Sequence, residues 1–292
     1  MSPSLLADRR LILVSGKGGV GKSAVTAGLA LLAHRHGRRV LAIDVVAAGG
    51  LAAHLGVGRL EFKPREVRPG LWALSVDRAK ALAEYLQVQL GIPGFATFGP
   101  IARAFDALAS TAPGVREVIT LGKVLWEVRN GDYDLVVADC PPSGQLTGFL
   151  RAPRTISELV PAGRIRQQAE WMTELLANAS STELILATLP EELPTVETIE
   201  TIEQLEKEQP VGLISVFANR VLTRLDTEAA GTGVAAEAAT LHRSLYRSQR
   251  DWIKRLPPRL NLPYFFGLMT PGEVAARMAD AFEPVDSIGS RN

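Results

Sequence analysis

The sequence has one cysteine, no long apolar run and almost no net charge, and each of these features excludes a class of protein. Cys140 alone cannot supply a disulfide framework or a zinc cluster built from cysteines. No apolar run reaches the roughly 18 residues that a membrane-spanning helix requires. With 32 lysines and arginines against 31 aspartates and glutamates, the chain has no overall basic field for nucleic acid or an anionic membrane.

The N-terminal segment also lacks the pattern of a secretory signal. Asp8, Arg9 and Arg10 leave only a strand-length apolar run before Gly16, which is too short for the apolar region of a signal peptide. Apolar residues make up 47% of the chain and charged residues 22%, which is ample for a globular core. We therefore expect a soluble cytoplasmic protein in which residues 1–292 form a single domain.

The most informative segment is the glycine-rich stretch at residues 16–23, G-K-G-G-V-G-K-S. It fits the pattern G-x-x-x-x-G-K-[ST], whose backbone N–H groups cradle the phosphates of a nucleotide. The apolar residues 11–14 before it predict a buried strand, and residues 24–36 after it predict a helix that ends near Gly37. Because the motif requires a strand, a turn and a helix in this order, the sequence predicts a phosphate-binding loop.

Each residue type in this loop has a chemical reason. Glycine carries no Cβ, so backbone amides can approach phosphate oxygens closely, and the following helix directs its N-terminal N–H groups at the same anion. Lys22 supplies positive charge to the β- and γ-phosphates, and the Ser23 hydroxyl can bind Mg²⁺. The residues predicted to bind the nucleotide here are Gly16, Lys17, Gly18, Gly19, Val20, Gly21, Lys22 and Ser23.

Lys17 distinguishes this loop from the general pattern, because it adds a second lysine at the start. The string K-G-G-V-G-K-S resembles the deviant loop of the MinD, ParA and ArsA-type ATPases, which include the targeting ATPases for tail-anchored membrane proteins. The resemblance implies a dimer in which Lys17 reaches the nucleotide of the partner subunit. The alternative is that Lys17 is a solvated charge near the phosphates.

Further apolar segments recur between helical stretches along the chain. Strands that alternate with helices predict a parallel sheet covered by helices on both faces. Together with the loop, this pattern predicts the α/β fold of a P-loop NTPase, with a mostly parallel sheet flanked by helices. The additional strands are expected at residues 39–43, 71–76, 135–138, 184–188, 213–218 and 264–266.

A helical insertion is predicted at about residues 79–130. Its many leucines, isoleucines and phenylalanines have two interpretations: core packing of two or three helices, or a partly exposed apolar groove for a client helix. The resemblance to the tail-anchor targeting ATPases implies the groove. At the other end of the chain, residues 284–292 are predicted to form a flexible tail.

A second element of the nucleotide site is predicted where an apolar strand ends at Asp139. A carboxylate at this position can hold Mg²⁺ through water, so Ser23 and Asp139 are the predicted metal-site residues. The run from Asp139 to Thr147, D-C-P-P-S-G-Q-L-T, resembles the family's switch segment D-T-A-P-T-G-H-T, with Gln145 in place of histidine. ATP and Mg²⁺ are therefore the expected cofactors.

Three further segments resemble the ArsA and tail-anchor branch more than MinD or ParA. Residues 112–117 resemble its P-P-G-I-D-E segment, and residues 189–198 resemble its P-E-x-L-S-x-x-E-T segment. Asn219 matches the asparagine that reads the adenine base in that branch, which implies a preference for ATP over GTP. Without the resemblance, Asn219 is equally typical of a turn after a strand.

The sequence departs from the family after the strand predicted to follow the loop helix. Asp44 is present, and the resemblance assigns catalytic roles to Lys17, Lys22, Asp44 and Asp139. Val46 stands where the family has the carboxylate that orients the attacking water, and a valine can neither accept a proton nor hold a water. Either another residue orients the water, or turnover is slow, or the chain is the weak subunit of a heterodimer with a paralogous ATPase.

The leading interpretation is an ATPase of the ArsA-like group that dimerises with ATP, as a homodimer or heterodimer, and couples the nucleotide state to a protein client such as an apolar helix or membrane protein. The alternatives are a MinD- or ParA-type positioning ATPase and a non-hydrolysing regulatory subunit. A single cysteine excludes arsenite sensing through several thiolates and a paired-cysteine zinc clasp. A basic cluster is interpreted first as a solvated helix face, and otherwise as a nucleic-acid or partner contact; it comprises Arg243, Arg247, Arg250, Lys254 and Arg255.

Overall fold

The computed structural model describes residue 6 and residues 9–89, 114–225 and 233–289. The strands in these ranges are β1 (Leu11–Ser15), β2 (Val40–Asp44), β3 (Arg65–Arg68), β4 (Leu71–Ser75), β5 (Leu135–Asp139), β6 (Thr182–Thr188), β7 (Ile214–Val221) and β8 (Arg259–Pro263). The helices are α1 (Lys22–Arg35), α2 (Gly50–Leu55), α3 (Arg78–Glu84), α4 (Val115–Asn130), α5 (Ser143–Leu159), α6 (Arg164–Ala177), α7 (Glu192–Glu208), α8 (Val234–Ile253) and α9 (Pro271–Gly289).

The strands form one sheet in the order β3-β4-β2-β5-β1-β6-β7-β8. Neighbouring strands are parallel except β3 and β4, which are antiparallel. β1, β2, β5 and β6 are buried along their whole length, as expected of a parallel sheet with helices on both faces. The predicted α/β fold with a mostly parallel sheet is confirmed.

The register of the central strands aligns the ends that carry polar residues. Val14 of β1 and Asp44 of β2 both lie opposite Asp139 of β5. The loops that follow these three strands therefore start at the same edge of the sheet, which is where ligands bind in open α/β folds.

Side chains alternate along the strands and so divide the core into two layers. Ile12 and Val14 belong to the apolar core on the face covered by α1, α2 and α9, whereas Leu11 and Leu13 belong to the core on the face covered by α4 to α7. α1 approaches α9 closely, because a Cβ added at Gly28 would lie 2.7 Å from Cγ of Met278. This packing holds α1, and with it the loop that precedes α1, in a fixed position.

One strand prediction was wrong and one strand was missed, and both errors have a physical reason. The strand expected at residues 264–266 lies earlier in the chain, as β8, which ends at Pro263. Tyr264 and Phe266 follow that end as exposed aromatic side chains, so these apolar residues form part of the surface and not of a buried strand. β3 was not predicted, because an edge strand of sequence R-E-V-R has almost no apolar side chains. The other strands lie within a few residues of their predicted positions.

The predicted insertion at residues 79–130 is helical in the parts that the structure describes. α3 continues into a π-helical turn at Tyr85–Gln89, and α4 follows after residue 114. Leu82 and Leu86 are buried against Ile119, which agrees with core packing at this end of the insertion. The apolar residues between 90 and 113, on which the predicted client groove depends, lie outside the described residues.

Two further observations concern the ends of the chain and the membrane. α9 runs to Gly289, so the first residues of the segment predicted as a flexible tail are helical. Within the described residues, no helix combines the length and the apolar character needed to cross a membrane.

Candidate nucleotide site

The glycine-rich loop connects β1 to α1, and its backbone depends on glycine at particular positions. Gly16, Gly19 and Gly21 have φ angles of +142°, +87° and +96°, a region that other residues seldom adopt. A Cβ at Gly16 would lie only 2.0 Å from the carbonyl oxygen of Ala187 at the end of β6. No side chain fits there, so this glycine brings the loop against the neighbouring strand.

Gly18 and Val20 show which parts of the loop face outwards and inwards. A Cβ at Gly18 would meet no atom within 4 Å, so packing inside the chain does not require glycine at this position. Open space beside the backbone is what the close approach of a phosphate needs. The Val20 side chain is buried in the core beneath α1, so only its backbone is available to a ligand.

Lys22, the first residue of α1, turns its side chain back over the loop. Its Nζ donates a hydrogen bond to the carbonyl oxygen of Lys17 at 3.2 Å. Burial lowers the pKa of the Lys22 ammonium, although Asp139, Cys140 and Glu197 nearby act in the opposite direction. The ammonium group is thus partly desolvated and lies over the loop to which phosphates would bind.

Ser23 and Asp139, 116 residues apart in sequence, are in direct contact. The Ser23 hydroxyl donates to Oδ2 of Asp139 at 2.5 Å. Burial raises the pKa of Asp139 to about 6; the Ser23 hydrogen bond and Lys22 oppose the shift, whereas Asp44 adds to it. The structure therefore brings together both predicted metal-site residues, a buried carboxylate and a partly buried hydroxyl.

The two aspartates of this edge also present unsatisfied oxygen atoms. Oδ2 of Asp44 accepts a hydrogen bond from the backbone N–H of Gly49 at 3.0 Å, but Oδ1 of Asp44 and Oδ1 of Asp139 are buried without a hydrogen-bond partner. Such groups are costly to bury unless a ligand or water satisfies them. A hydroxyl and two carboxylates are the hard oxygen ligands that Mg²⁺ prefers, so this donor set fits the ion.

Asn219 lies at an irregular point in β7 and holds the loop from the other side. Its Nδ2 donates to the carbonyl oxygen of Val20 at 2.9 Å, and its Oδ1 accepts from the N–H of Arg220, whose φ is +56°. Each amide atom retains capacity for one further hydrogen bond. Asn219 borders a cavity of about 500 Å³ that also contacts Gly21 and Tyr264. Base recognition by Asn219 stays a prediction, and the cavity supplies a place for it.

The half-buried side chain of Lys17 forms an ion pair within its own chain. Its Nζ lies 2.8 Å from Oε2 of Glu197 on α7, and Oε1 of the same carboxylate accepts a hydrogen bond from the Ser143 hydroxyl at the start of α5. The sequence analysis missed Glu197 and Ser143 as site residues. The only signal was the resemblance of residues 189–198 to a family segment, which assigned Glu197 no role.

Val46 lies on the loop after β2 and is 40% exposed. It borders a cavity of about 450 Å³ that Glu117 and Gln145 also line. The side chain at position 46 therefore borders an opening of mixed polar and apolar lining beside the switch segment, and it brings no hydrogen-bonding group to that opening.

Comparison with known proteins agrees with this geometry. A family model described as anion-transporting ATPase, of the ArsA ATPases, matches residues 9–174. These residues contain the glycine-rich loop, Asp44 and Asp139. The chain belongs to the ArsA-type ATPase family. The matched residues end before Glu197 and Asn219, so the contribution of α7 and β7 to the site rests on the structure.

Individual relatives are named as ATPases. ATPase BagA of Mycobacterium tuberculosis is 38% identical over 232 residues, which are 75% of this chain and 67% of the relative. ATPase GET3 of Podospora anserina is 28% identical over 159 residues, or 53% of this chain and 47% of the relative. ATPase get3 of Schizosaccharomyces japonicus is 30% identical over 152 residues, or 50% and 45%. The match thus spans about half of the GET3 proteins.

Proposed function

We propose that this ArsA-type chain binds ATP with Mg²⁺ and hydrolyses it, that ATP drives its dimerisation, and that the nucleotide state is coupled to a protein partner or client. The observation that carries the proposal is the buried contact of Ser23 with Asp139 beneath the loop, with unsatisfied carboxylate oxygens on Asp139 and Asp44. A structural hydrogen bond alone does not account for these unsatisfied oxygens.

The roles of the loop residues follow from their positions. The backbone amides of the loop and of the first turn of α1 supply partial positive charge, and Lys22 adds a full charge to the β- and γ-phosphates. The Lys22 hydrogen bond to the Lys17 carbonyl would be exchanged for a phosphate oxygen. Asn219 joins this loop to the cavity in which a base would lie.

Ser23, Asp139 and Asp44 would hold the metal ion at the edge of the sheet. Bound Mg²⁺ supplies positive charge that neutralises phosphate oxygens. Ionised carboxylates bind the ion better than protonated ones, and the pKa of Asp139, about 6, lies close enough to neutrality for metal binding to compete with protons. Metal affinity should therefore fall as the pH is lowered through 6.

A partner or client is supported by an exposed apolar surface on α8. Among its 20 residues only Ile253 is buried, and Leu241 is 62% exposed. Leu241 and the exposed side chains of Leu245 and Phe266 border an apolar groove of about 860 Å³. Exposed apolar surfaces of this kind are typical of protein interaction sites. The predicted client groove of the insertion would be a separate surface.

The test of the proposed function combines ATP binding, turnover and molecular mass. Calorimetry should show that the chain binds MgATP, and light scattering should show that its mass doubles when ATP is added. Lys22→Ala should weaken ATP binding about 100-fold, because it removes a charge-assisted contact to phosphate. Lys17→Ala should keep ATP binding but stay monomeric. Absence of ATP binding, or the same mass with and without ATP, would contradict the proposal.

Val46 favours a second candidate function, a weakly hydrolysing subunit that completes the site of a paralogous partner. The loop and the metal-site oxygens are in place, whereas the position of the water-orienting carboxylate is apolar. Val46→Asp should then raise the ATPase rate of the isolated chain about 100-fold, the lower end of what a positioned carboxylate supplies, with unchanged ATP affinity. Rapid hydrolysis by the unaltered chain, not increased by Val46→Asp, would rule this candidate out.

A further inference from the structure

Three segments of the site converge on one carboxylate, that of Glu197. Its Oε2 forms an ion pair with Nζ of Lys17 at 2.8 Å, and its Oε1 accepts a hydrogen bond from the Ser143 hydroxyl. The backbone N–H of Ser143 in turn donates to the carbonyl oxygen of Gly16 at 3.2 Å. The glycine-rich loop, the start of α5 and α7 are therefore joined through a single cluster of polar contacts.

The ion pair lies where a ligand can reach it. The Lys17 side chain is 35% exposed and that of Glu197 is 31% exposed, so neither is locked in the core. Burial tends to raise the pKa of Glu197, but the hydrogen bonds from Lys17 and Ser143, together with the positive charges of Lys17 and Lys22, outweigh it and hold the pKa below its ordinary value. Glu197 is therefore ionised at neutral pH and gives Lys17 a full negative counter-charge.

A bound nucleotide would change the charge balance around Lys17. Phosphates in the loop add several negative charges beside the Lys17–Glu197 pair, and one ammonium group cannot point at Glu197 and at a distant phosphate at once. On the proposed function, Lys17 reaches the nucleotide of a second protomer, which requires it to leave Glu197. The contact of Lys17 within its own chain thus competes with the contact required in the dimer.

We propose that Glu197 is a positioning residue that holds Lys17 within its own chain, and that this ion pair opens before Lys17 contacts a phosphate of a second protomer. This inference rests on the proposed function. Ser143 connects the same carboxylate to the switch segment that begins at Asp139, so a displacement of α5 would weaken the hold on Lys17. The ion pair raises the ATP concentration at which the protein dimerises.

The decisive variant is Glu197→Gln, which keeps the shape of the side chain and removes its charge. Loss of one partly exposed ion pair should lower the ATP concentration for half-maximal dimerisation about threefold to fivefold. Glu200→Gln is the matched control, because Glu200 is an exposed glutamate on the same helix. It should leave the dimerisation midpoint unchanged. The measurement is molecular mass by light scattering across an ATP titration.

A second measurement needs no nucleotide. Lys17 should react faster with an acylating reagent in Glu197→Gln than in the unaltered chain, as followed by mass spectrometry. Lys207, which lies on α7 with Glu197, should react at an unchanged rate. Combining Glu197→Gln with Lys17→Ala distinguishes an effect that acts through Lys17 from a direct effect of the Glu197 charge on ATP binding. Glu197→Gln alone should raise the apparent ATP affinity, because dimerisation is linked to ATP binding. In the Lys17→Ala background it should leave ATP affinity unchanged, because Glu197 acts through Lys17.

The outcomes separate the inference from the proposed function. ATP-dependent dimerisation that Glu197→Gln leaves unchanged, or unchanged Lys17 reactivity, would overturn the inference and leave the proposed function intact. An equal gain in ATP affinity with and without Lys17 would do the same, because it would show a direct charge effect. If the unaltered chain bound no ATP, both would fall together.

Discussion

Helices α1 and α8 are both rich in alanine and leucine, yet the fold surrounds them very differently. α1 has ten buried residues among its 14 and packs between the sheet, α2 and α9. α8 is longer but has one buried residue, Ile253, and its leucines face an open groove. The comparison shows that apolar composition predicts a helix without predicting what the helix packs against.

The difference separates two kinds of surface in this chain. The nucleotide edge, which we define as the loop at residues 16–23 with Asp44, Asp139 and Glu197, is supported by close packing and by polar contacts between distant segments. The α8 groove lacks close packing, although hydrogen bonds of His242 and Gln249 hold α8 to the segment at residues 220–223. Substitutions that disturb the packing of the nucleotide edge or of α1 should therefore affect folding strongly, whereas those of the exposed leucines of α8 should have little effect in the isolated chain.

The largest contrast is expected at the glycines that lead into the two helices. Gly16 and Gly233 both have positive φ, +142° and +113°, but only Gly16 would place a Cβ 2.0 Å from a backbone carbonyl. Gly16→Ala should lower the free energy of unfolding by about 4 kcal/mol or prevent folding. Gly233→Ala should cost only about 1–2 kcal/mol, from backbone strain. Urea unfolding measures both, and equal effects would show that the close contact is relieved easily.

The second contrast concerns leucines inside the two helices. Leu29 of α1 is completely buried, so Leu29→Ala should lower the free energy of unfolding by about 3 kcal/mol, from lost burial and the cavity left behind. Leu241 of α8 is mostly exposed, and Leu241→Ala should change it by less than about 0.5 kcal/mol. A large loss of stability for Leu241→Ala in the monomer would mean that the groove is closed in solution.

A smaller effect, of opposite sign, is expected at Asp139. Its pKa in the folded chain is about 6 against an ordinary value of 3.8, so stability falls as the pH rises from about 4 to 6 and the cost is constant above that range. This difference in pKa corresponds to about 3 kcal/mol. Part of the gain is offset because an amide accepts a weaker hydrogen bond from Ser23 than a carboxylate does, so Asp139→Asn should stabilise the chain without ligands by about 2 kcal/mol at pH 7. The advantage should shrink steadily below pH 6.

The control for this prediction lies on α8. Asp251 is an exposed aspartate paired with Lys254, and Asp251→Asn should change stability by less than about 0.5 kcal/mol at any of these pH values. Urea unfolding at pH 5 and pH 7 distinguishes the two sites. If Asp139→Asn were destabilising at pH 7, the carboxylate would contribute more to the fold than its burial costs. In either case the variant should lose affinity for Mg²⁺ and ATP.

Much of the fold could be predicted, because parallel strands carry a strong local signal. Buried strands such as β1 and β5 are short apolar runs, and the glycine-rich loop has a fixed spacing. The charged edge strand β3 carries no such signal. The aromatic residues 264–266 gave a misleading one, because exposed apolar side chains at the groove have the same local pattern as a strand.

The candidate site was predicted in part. The contact of Ser23 with Asp139 follows from two motifs whose strands lie side by side, and the family match covers both. The hydrogen bond from Asn219 to the Val20 carbonyl and the ion pair of Lys17 with Glu197 have no counterpart in any local pattern. Each of these two contacts joins residues that are about 200 positions apart, through the packing of β7 or α7 against the loop.

The sequence by itself determined the chemistry of the loop, the order of strands and helices and the family, because glycine spacing, lysine position and apolar periodicity act on the backbone locally. Only the tertiary structure decided which side chains meet. It placed Asp44 opposite Asp139, directed Lys17 to Glu197 instead of solvent, buried α1 and left the apolar face of α8 open. Those outcomes depend on how distant elements pack, since an ion pair or a buried face exists only when its second partner is in place.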